Sequence, residues 1–178
     1  GDWYSVIGTG DDTFAFVVGD VSGHGIDAVA EMAHARFTVR AYLLDGNPPH
    51  IALGKCSNQF DVVTDGHIVT VIAGIGNVRT GEVTLANAGH PRPLCIRGDG
   101  SSELVETAVG PPLGVGATTY EASTFTLAPA SILLCYTDGL IERRGEEIVV
   151  GLERLATTAA ASQHRADPTA LLRDLLAD

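Results

Sequence analysis

Two rhythms run along the chain: short apolar runs broken by glycine-rich turns, and longer stretches in which apolar residues recur every three or four positions. Asp2 opens the first run, Asp2-Trp3-Tyr4-Ser5-Val6-Ile7, and Phe14-Ala15-Phe16-Val17-Val18 forms the second. Both read as strands, the second as a buried one with Asp20 at its exit. From about Ile26 to Leu44, the residues Ala28, Met32, Ala35, Val39 and Leu43 keep the spacing of a core-facing helical stripe. Asp45-Gly46-Asn47-Pro48-Pro49 is a loop, and Ile51 to about Val62 predicts a second helix. Beyond it the chain turns strand-rich, with strands predicted at 67–76, 82–87, 92–97, 102–106, 120–127 and 131–137 and turns such as Arg79-Thr80-Gly81 and Gly98-Asp99-Gly100 between them. Alanine- and leucine-rich helices at 151–162 and 168–177 complete the pattern. No internal repeat, low-complexity tract or linker interrupts it, so residues 1–178 are expected to form one domain.

The candidate chemistry sits at strand ends. Gly19-Asp20-Val21-Ser22-Gly23-His24-Gly25 places a carboxylate after an apolar run, and the glycines allow backbone carbonyls to approach an ion without interference from a Cβ. Asp2 and Asp138, the latter after Ile132-Leu133-Leu134-Cys135-Tyr136-Thr137, have the same placement. Three such acids, far apart in the chain, can converge only through the fold, and a hard divalent cation would offset their repulsion. Taken singly, each has an ordinary alternative: Asp20 as a turn or helix-cap residue, Asp138 as a Thr-Asp-Gly turn, Asp2 as an exposed residue near a chain end. A calcium loop counted from Asp20 to Glu31 fails, because imidazole at His24 is a poor calcium ligand and a strand precedes the loop.

Five ordered blocks carry a resemblance: GDWY at 1–4, GDVSGHG at 19–25, ANAGHPRPL at 86–94, GPPLG at 110–114 and YTDGLIE at 136–142. Together they resemble the bacterial SpoIIE/RsbU-type serine phosphatases of the metal-dependent PPM superfamily, over Gly1 to about Leu155. The resemblance implies an α+β fold, a central antiparallel β-sandwich flanked by α-helices, with two Mn²⁺ or Mg²⁺ ions at one end. It implies that Asp20 bridges both ions, that Asp2 and the Val21 carbonyl serve one, and that Asp138 serves the other. Two ions about 3.5–4 Å apart lower the pKa of a shared water and neutralise charge on a transferring phosphoryl group. The implied substrate is a phosphoserine or phosphothreonine protein, specifically a phosphorylated STAS-type anti-anti-sigma factor, and the implied neighbours are fused sensor and anti-sigma kinase modules. A coupling between the helix that follows Gly25 and the metal loop is implied as well.

Further candidates follow from the same blocks. The leaving serine needs a proton, and an imidazole, with a reference pKa of about 6.5, can supply one; His24 and His90 are the candidates. Each has a structural alternative, His24 bonding the glycine loop and His90 capping the turn after Asn87. Asn87 either contacts substrate or fixes that loop. Arg143 and Arg144 follow the Asp138 motif and are candidates for attracting a phosphoprotein, with a solvated pair as the plain alternative. His34, His50, His67 and His164 have no motif around them.

Composition narrows the field. A net charge of −11 argues against nucleic acid or an anionic membrane as direct partner, and no apolar run approaches the roughly 18 residues of a membrane span. Cys56, Cys95 and Cys135 are widely separated among apolar neighbours, without CxxC spacing or a glycine-rich anion loop. They read as reduced core residues of a cytoplasmic protein, neither zinc ligands nor phosphatase nucleophiles. Two departures from the family pattern stand out. Pro129-Ala130-Ser131 replaces a Pro-Gly-Asp turn, and nothing matches the closing strand with its Asp-Asp pair, since Asp174 and Asp178 lie in or beyond a Leu-Leu helical pattern. The expectation is therefore a domain truncated at both ends, either an active phosphatase or a catalytically silent module that binds a partner. A homodimer is left open.

Overall fold

The computed structural model describes residues 1–116, 119–164 and 167–177. It is α+β, and it divides into two compact units, Gly1–His90 with Glu106–Thr126, and Pro91–Val105 with the remainder from Leu127. Asp178 lies outside the described residues.

In the first unit, β1 (Asp2–Gly8), β2 (Thr13–Val21), β3 (Val69–Asn77) and β4 (Glu82–Ala88) run antiparallel in that order. The outer side of β4 takes β7 (Val109–Gly110) in parallel and, further along, β8 (Ser123–Thr126) antiparallel; β5 and β6 belong to the second unit. Helices α1 (Ile26–Leu44) and α2 (Pro49–Ser57), with a single turn α3 (Val62–Asp65), complete it. The predicted stripe on α1 is the core stripe: Ala28, Ala35, Val39 and Leu43 are buried and Met32 is partly so. Strict alternation on β1 buries Trp3, Ser5 and Ile7 and exposes Asp2, Tyr4 and Val6. Trp3, Ile7, Val17, Val21, Val71 and Ala73 share one core with α1 and α2.

Three glycines inside strands make room for aromatic rings. Trp3 lies opposite Gly19, Phe16 opposite Gly74 and Phe14 opposite Gly76. A Cβ on Gly19 would stand 2.3 Å from the Trp3 indole, and one on Gly74 the same distance from the Phe16 ring. A strand glycine here marks close approach by the ring across the ladder.

In the second unit, β5 (Leu94–Ile96) is flanked by β6 (Ser102–Leu104) and β9 (Ile132–Leu134). Helices α4 (Ile148–Ala161) and α5 (Pro168–Ala177) share a core with it through Leu94, Ile96, Leu134, Tyr136, Ile141, Leu155, Leu171 and Leu175. Gly151 lets α4 pass the Ile141 carbonyl, where a Cβ would stand at 1.8 Å.

Several predicted boundaries shift, among them β5 (94–96 rather than 92–97), β8 (123–126 rather than 120–127) and the start of α4 (148 rather than 151), and three further cases have a visible cause. The second helix stops at Ser57 rather than near Val62, because Phe60 turns inward and Asp61 starts a separate turn by accepting the Val63 N–H at 3.0 Å. β2 runs on through Asp20 to Val21, so Asp20 is a paired strand residue rather than an exit. β9 ends at Leu134, and Asp138 opens a 3₁₀ turn, Asp138–Leu140, instead of closing a strand. Leu134 pairs with Leu94, the first residue of β5, so the ladder ends where β5 begins. Among the described residues no helix is long and apolar enough to cross a membrane.

Candidate functional site

Three strands set the first unit's candidate ligands in a row. Asp2 lies opposite Asp20, and Asp20 opposite Thr70. Directly opposed residues share a face, so both carboxylates and the hydroxyl project from one side of the sheet. Trp3, Val21 and Val71, one position out of phase, enter the core with α1 on the other side. Asp2 is exposed and Asp20 half-buried.

Gly1 and Val21 continue the ladder beyond this row: the Gly1 nitrogen donates to the Val21 carbonyl, and the Gly1 carbonyl accepts the Val21 N–H at 3.2 Å. The oxygens at this end of the sheet are carboxylate and carbonyl oxygens, the hard donors that Mg²⁺ and Mn²⁺ prefer. The donor set fits such an ion. Among the described residues of this unit, no third His, Cys, Asp or Glu joins Asp2 and Asp20 in a group able to hold a metal.

The backbone aims the Val21 carbonyl. The Ser22 N–H donates to the Ile68 carbonyl at 2.9 Å, on the β3 side. In a planar trans peptide the C=O points opposite the N–H, so the Val21 oxygen is turned toward β1, where it meets the Gly1 nitrogen. Ser22 is held twice more: its hydroxyl accepts the Ile68 N–H at 2.8 Å, and its carbonyl accepts from His67 Nδ1 at 2.8 Å. Beyond it, Gly23 and Gly25 adopt φ of 86° and 99°, which a side chain disfavours, and α1 begins without a side-chain cap.

The histidines separate by environment. His24 is exposed on the glycine loop. His90 is 3% exposed, with Nδ1 3.1 Å from the Thr70 hydroxyl. Asn87 fastens the turn before it: its amide donates to the His90 carbonyl at 2.9 Å and its Oδ1 accepts the His90 N–H at 2.7 Å. Both polar atoms of Asn87 therefore serve the loop, and the pairing of Asp20 with Thr70 carries that loop to the acidic row. His67, Thr70 and His34 were missed by motif reasoning. The His34 ring stacks on Phe60 at 4.5 Å, and its Nδ1 is 3.8 Å from the Glu31 carboxylate. The contacts of His67 span 45 residues of sequence, so no local signal could have found them.

In the second unit, Asp138 is half-buried at the start of its 3₁₀ turn, and its carbonyl accepts the N–H groups of Ile141 and Glu142. Arg143 and Arg144 are exposed in the turn that follows. Arg143 borders a shallow hollow with Leu140, Arg154, Leu155, Thr158 and Leu175. Arg154 donates to Glu146 at 2.6 Å and to the Ile141 carbonyl at 3.3 Å. The cysteines are free thiols, and burial pushes those of Cys56 and Cys135 up to about 12, which leaves no thiolate for nucleophilic attack.

The signature of the family described as Stage II sporulation protein E (SpoIIE) matches residues 10–178. Protein IcfG of Synechocystis sp. is 25% identical over 192 residues, covering 91% of this chain and 30% of IcfG. The structure of the RsbU and RsbW domains of Rv1364c from Mycobacterium tuberculosis superposes with a TM-score of 0.83 at 30% identity, covering 98% of this chain and 51% of that one. RsbX in complex with magnesium shares the fold, with a TM-score of 0.71 at 16% identity over 99% of this chain and 78% of RsbX. The chain thus spans about a third of IcfG and half of the Rv1364c chain.

Proposed function

The chain belongs to the SpoIIE family, and from that premise we propose that it is a metal-dependent protein serine/threonine phosphatase acting on a phosphorylated STAS-type anti-anti-sigma protein. The observation that carries the reading is the direct opposition of the Asp2 and Asp20 carboxylates on one face at the end of the sheet, beside the Val21 carbonyl. The magnesium complex of RsbX, which shares the fold, supports a divalent ion. When bound, a pair of such ions lowers the pKa of a water molecule and neutralises phosphoryl charge.

This chain's own residues do the rest. Asp20 and the Val21 carbonyl would hold the cation, with Asp2 alongside. His24, exposed beside this cradle, gives a proton to the leaving serine oxygen as the P–O bond breaks. His90, buried and bonded to Thr70, holds the neighbouring loop in place, and Asn87 locks His90. Asp138 enters as a ligand on the strength of its YTDGLIE motif, and Arg143 and Arg144 as guanidiniums that attract the phosphoprotein. Partner modules of the sensor and anti-sigma kinase kind fit the RsbU and RsbW pairing in Rv1364c. A cytoplasmic site of action suits both the thiols and that partner class.

One observation favours a second reading. With two carboxylates rather than three gathered in the first unit's row, a silent domain that binds the phosphoprotein and regulates it is the alternative. The test is Mn²⁺-dependent release of phosphate from a phosphoserine STAS protein by this chain and by Asp20→Asn. Release that Asp20→Asn abolishes supports the phosphatase. Binding of the STAS protein with no release by either chain moves the assignment to the regulatory module.

A further inference from the structure

We infer that His67 is a positioning residue for the metal cradle, holding the Ser22 carbonyl so that the Val21 carbonyl, the ligand proposed above, keeps its direction toward the β1 side. The inference deepens the metal-dependent reading and rests on it for its functional consequence.

The argument starts from hydrogen-bond chemistry. A backbone carbonyl only accepts, so the 2.8 Å contact between His67 Nδ1 and the Ser22 oxygen requires the hydrogen on Nδ1. That settles the tautomer of the neutral ring. The ring also lies under the loop, since a Cβ on Gly23 would meet His67 Cε1 and Nδ1 at 3.5 Å.

The consequence is mechanical. Residues 21–23 are joined by two peptide planes. The first, Val21–Ser22, is pinned by Ile68, whose carbonyl accepts the Ser22 N–H. The second, Ser22–Gly23, has its oxygen pinned by His67 alone among the described hydrogen bonds. Gly23, at φ 86°, has no side chain to resist rotation, so without His67 the second plane is free to turn. A turning Ser22–Gly23 plane pulls on Ser22, loosens its bond to Ile68 and spoils the aim of the Val21 oxygen. Among the described hydrogen bonds, His67 reaches the acidic row through this bond and through its neighbour Ile68, which bonds Ser22 and leads into β3. Groups that orient ligands in this way commonly control metal affinity by about 10- to 100-fold.

Three variants decide the matter: His67→Phe keeps a ring without a donor, His67→Leu removes the ring, and His67→Asn places an amide N–H near the position of Nδ1. Mn²⁺ binding is measured by electron paramagnetic resonance of the free ion, and amide hydrogen exchange is followed in the metal-free chains. The expectation is Mn²⁺ binding weakened by about 10- to 100-fold in His67→Phe and His67→Leu, restored to within about threefold by His67→Asn. Exchange of the Ser22 and Gly23 amides should quicken in the first two variants only, with β1 and β4 amides unchanged. Mn²⁺ affinity and exchange both unchanged in His67→Phe overturn the inference. So does faster loop exchange with unchanged affinity, since His67 then steadies the loop without serving the ion. A wild-type chain that takes up no Mn²⁺ overturns the metal reading itself, and with it the functional half of the inference, while exchange still decides whether His67 holds the loop.

Discussion

Gly19→Ala tests the packing that holds the acidic row. Gly19 and Trp3 face each other across β1 and β2, one position from Asp20 and Asp2. An added Cβ would lie 2.3, 2.4 and 2.8 Å from indole atoms Cη2, Cζ2 and Cζ3. Carbon atoms rest at about 3.5–4.0 Å, so the indole must retreat by about 1.2 Å or more. It has nowhere to go, being 5% exposed within the core that includes α1. Overpacking of this kind costs about 1–3 kcal/mol, and the contact is short enough to sit at the upper end. Removing a strand glycine returns up to about 1 kcal/mol. The expected net loss is about 2 kcal/mol, or a fall in Tm of about 4–8 °C for a chain of this size.

The steric cause can be isolated by a double-mutant cycle. Trp3→Leu alone destabilises by removing buried surface, but in the Gly19→Ala background the smaller side chain clears the added methyl. The two losses should therefore fall short of additive by about 1–2 kcal/mol. Urea and thermal unfolding followed by far-UV circular dichroism suit all four chains, because Trp3 is the sole tryptophan and fluorescence is lost with it. Gly19→Ala within 0.5 kcal/mol of wild type, as an order-of-magnitude limit for surface-like changes, or strict additivity in the cycle, would refute the reasoning.

Two further outcomes are expected. Ala130 has φ 62°, a left-handed conformation that costs a residue with a Cβ about 1–2 kcal/mol, so Ala130→Gly should stabilise by roughly 0.5–1 kcal/mol once glycine's own entropy is counted; a lower urea midpoint would count against it. Asp174 is held below the usual carboxylate range, first by the Ser162 hydroxyl and then by His164. Its contribution is present above the unfolded value of about 3.9 and is lost as pH falls through the lower folded one. Asp174→Asn should thus be less stable than wild type near neutrality and converge with it in acid, and urea midpoints that differ equally at pH 7 and pH 2 would contradict that.

Much of the fold is legible in the chain because its signals are periodic and local. The α1 stripe is visible since Ala28, Ala35, Val39 and Leu43 repeat at helical spacing and nothing breaks the helix before Asp45. The three boundary shifts with a visible cause depend on partners elsewhere. Nothing in Ile132–Thr137 reveals that its ladder stops at Leu134, because the stop lies where the partner strand β5 begins, at Leu94. Nothing in Asn58–Phe60 reveals that Phe60 turns in to meet His34. Among the site residues, Asp2, Asp20 and Asn87 declared themselves through motifs, whereas His67 and Thr70 act through contacts made 45 and 20 residues away. The strand glycines 19, 74 and 76 did carry a signal, a weakened strand position facing an aromatic, that a register would have made readable.

The row formed by Asp2 and Asp20 breaks a rule of sheet design, and so do its surroundings. Like charges directly opposite each other destabilise a ladder. Yet these two carboxylates occupy that arrangement at the end of a sheet whose interior is almost entirely apolar. The adjoining loop spends two glycines at positive φ, and the longest helix starts without a side-chain cap at the same place. Each feature alone costs stability. Local violations gathered at one end of an otherwise consistent sheet mark a place selected for chemistry rather than for folding. The proposed compensation is electrostatic: a divalent ion beside the two carboxylates would relieve their repulsion, with the Val21–Ser22 backbone held by the bonds from Ile68 and His67. On the proposed reading, the geometry that strains the ladder is the one that would suit a hard cation.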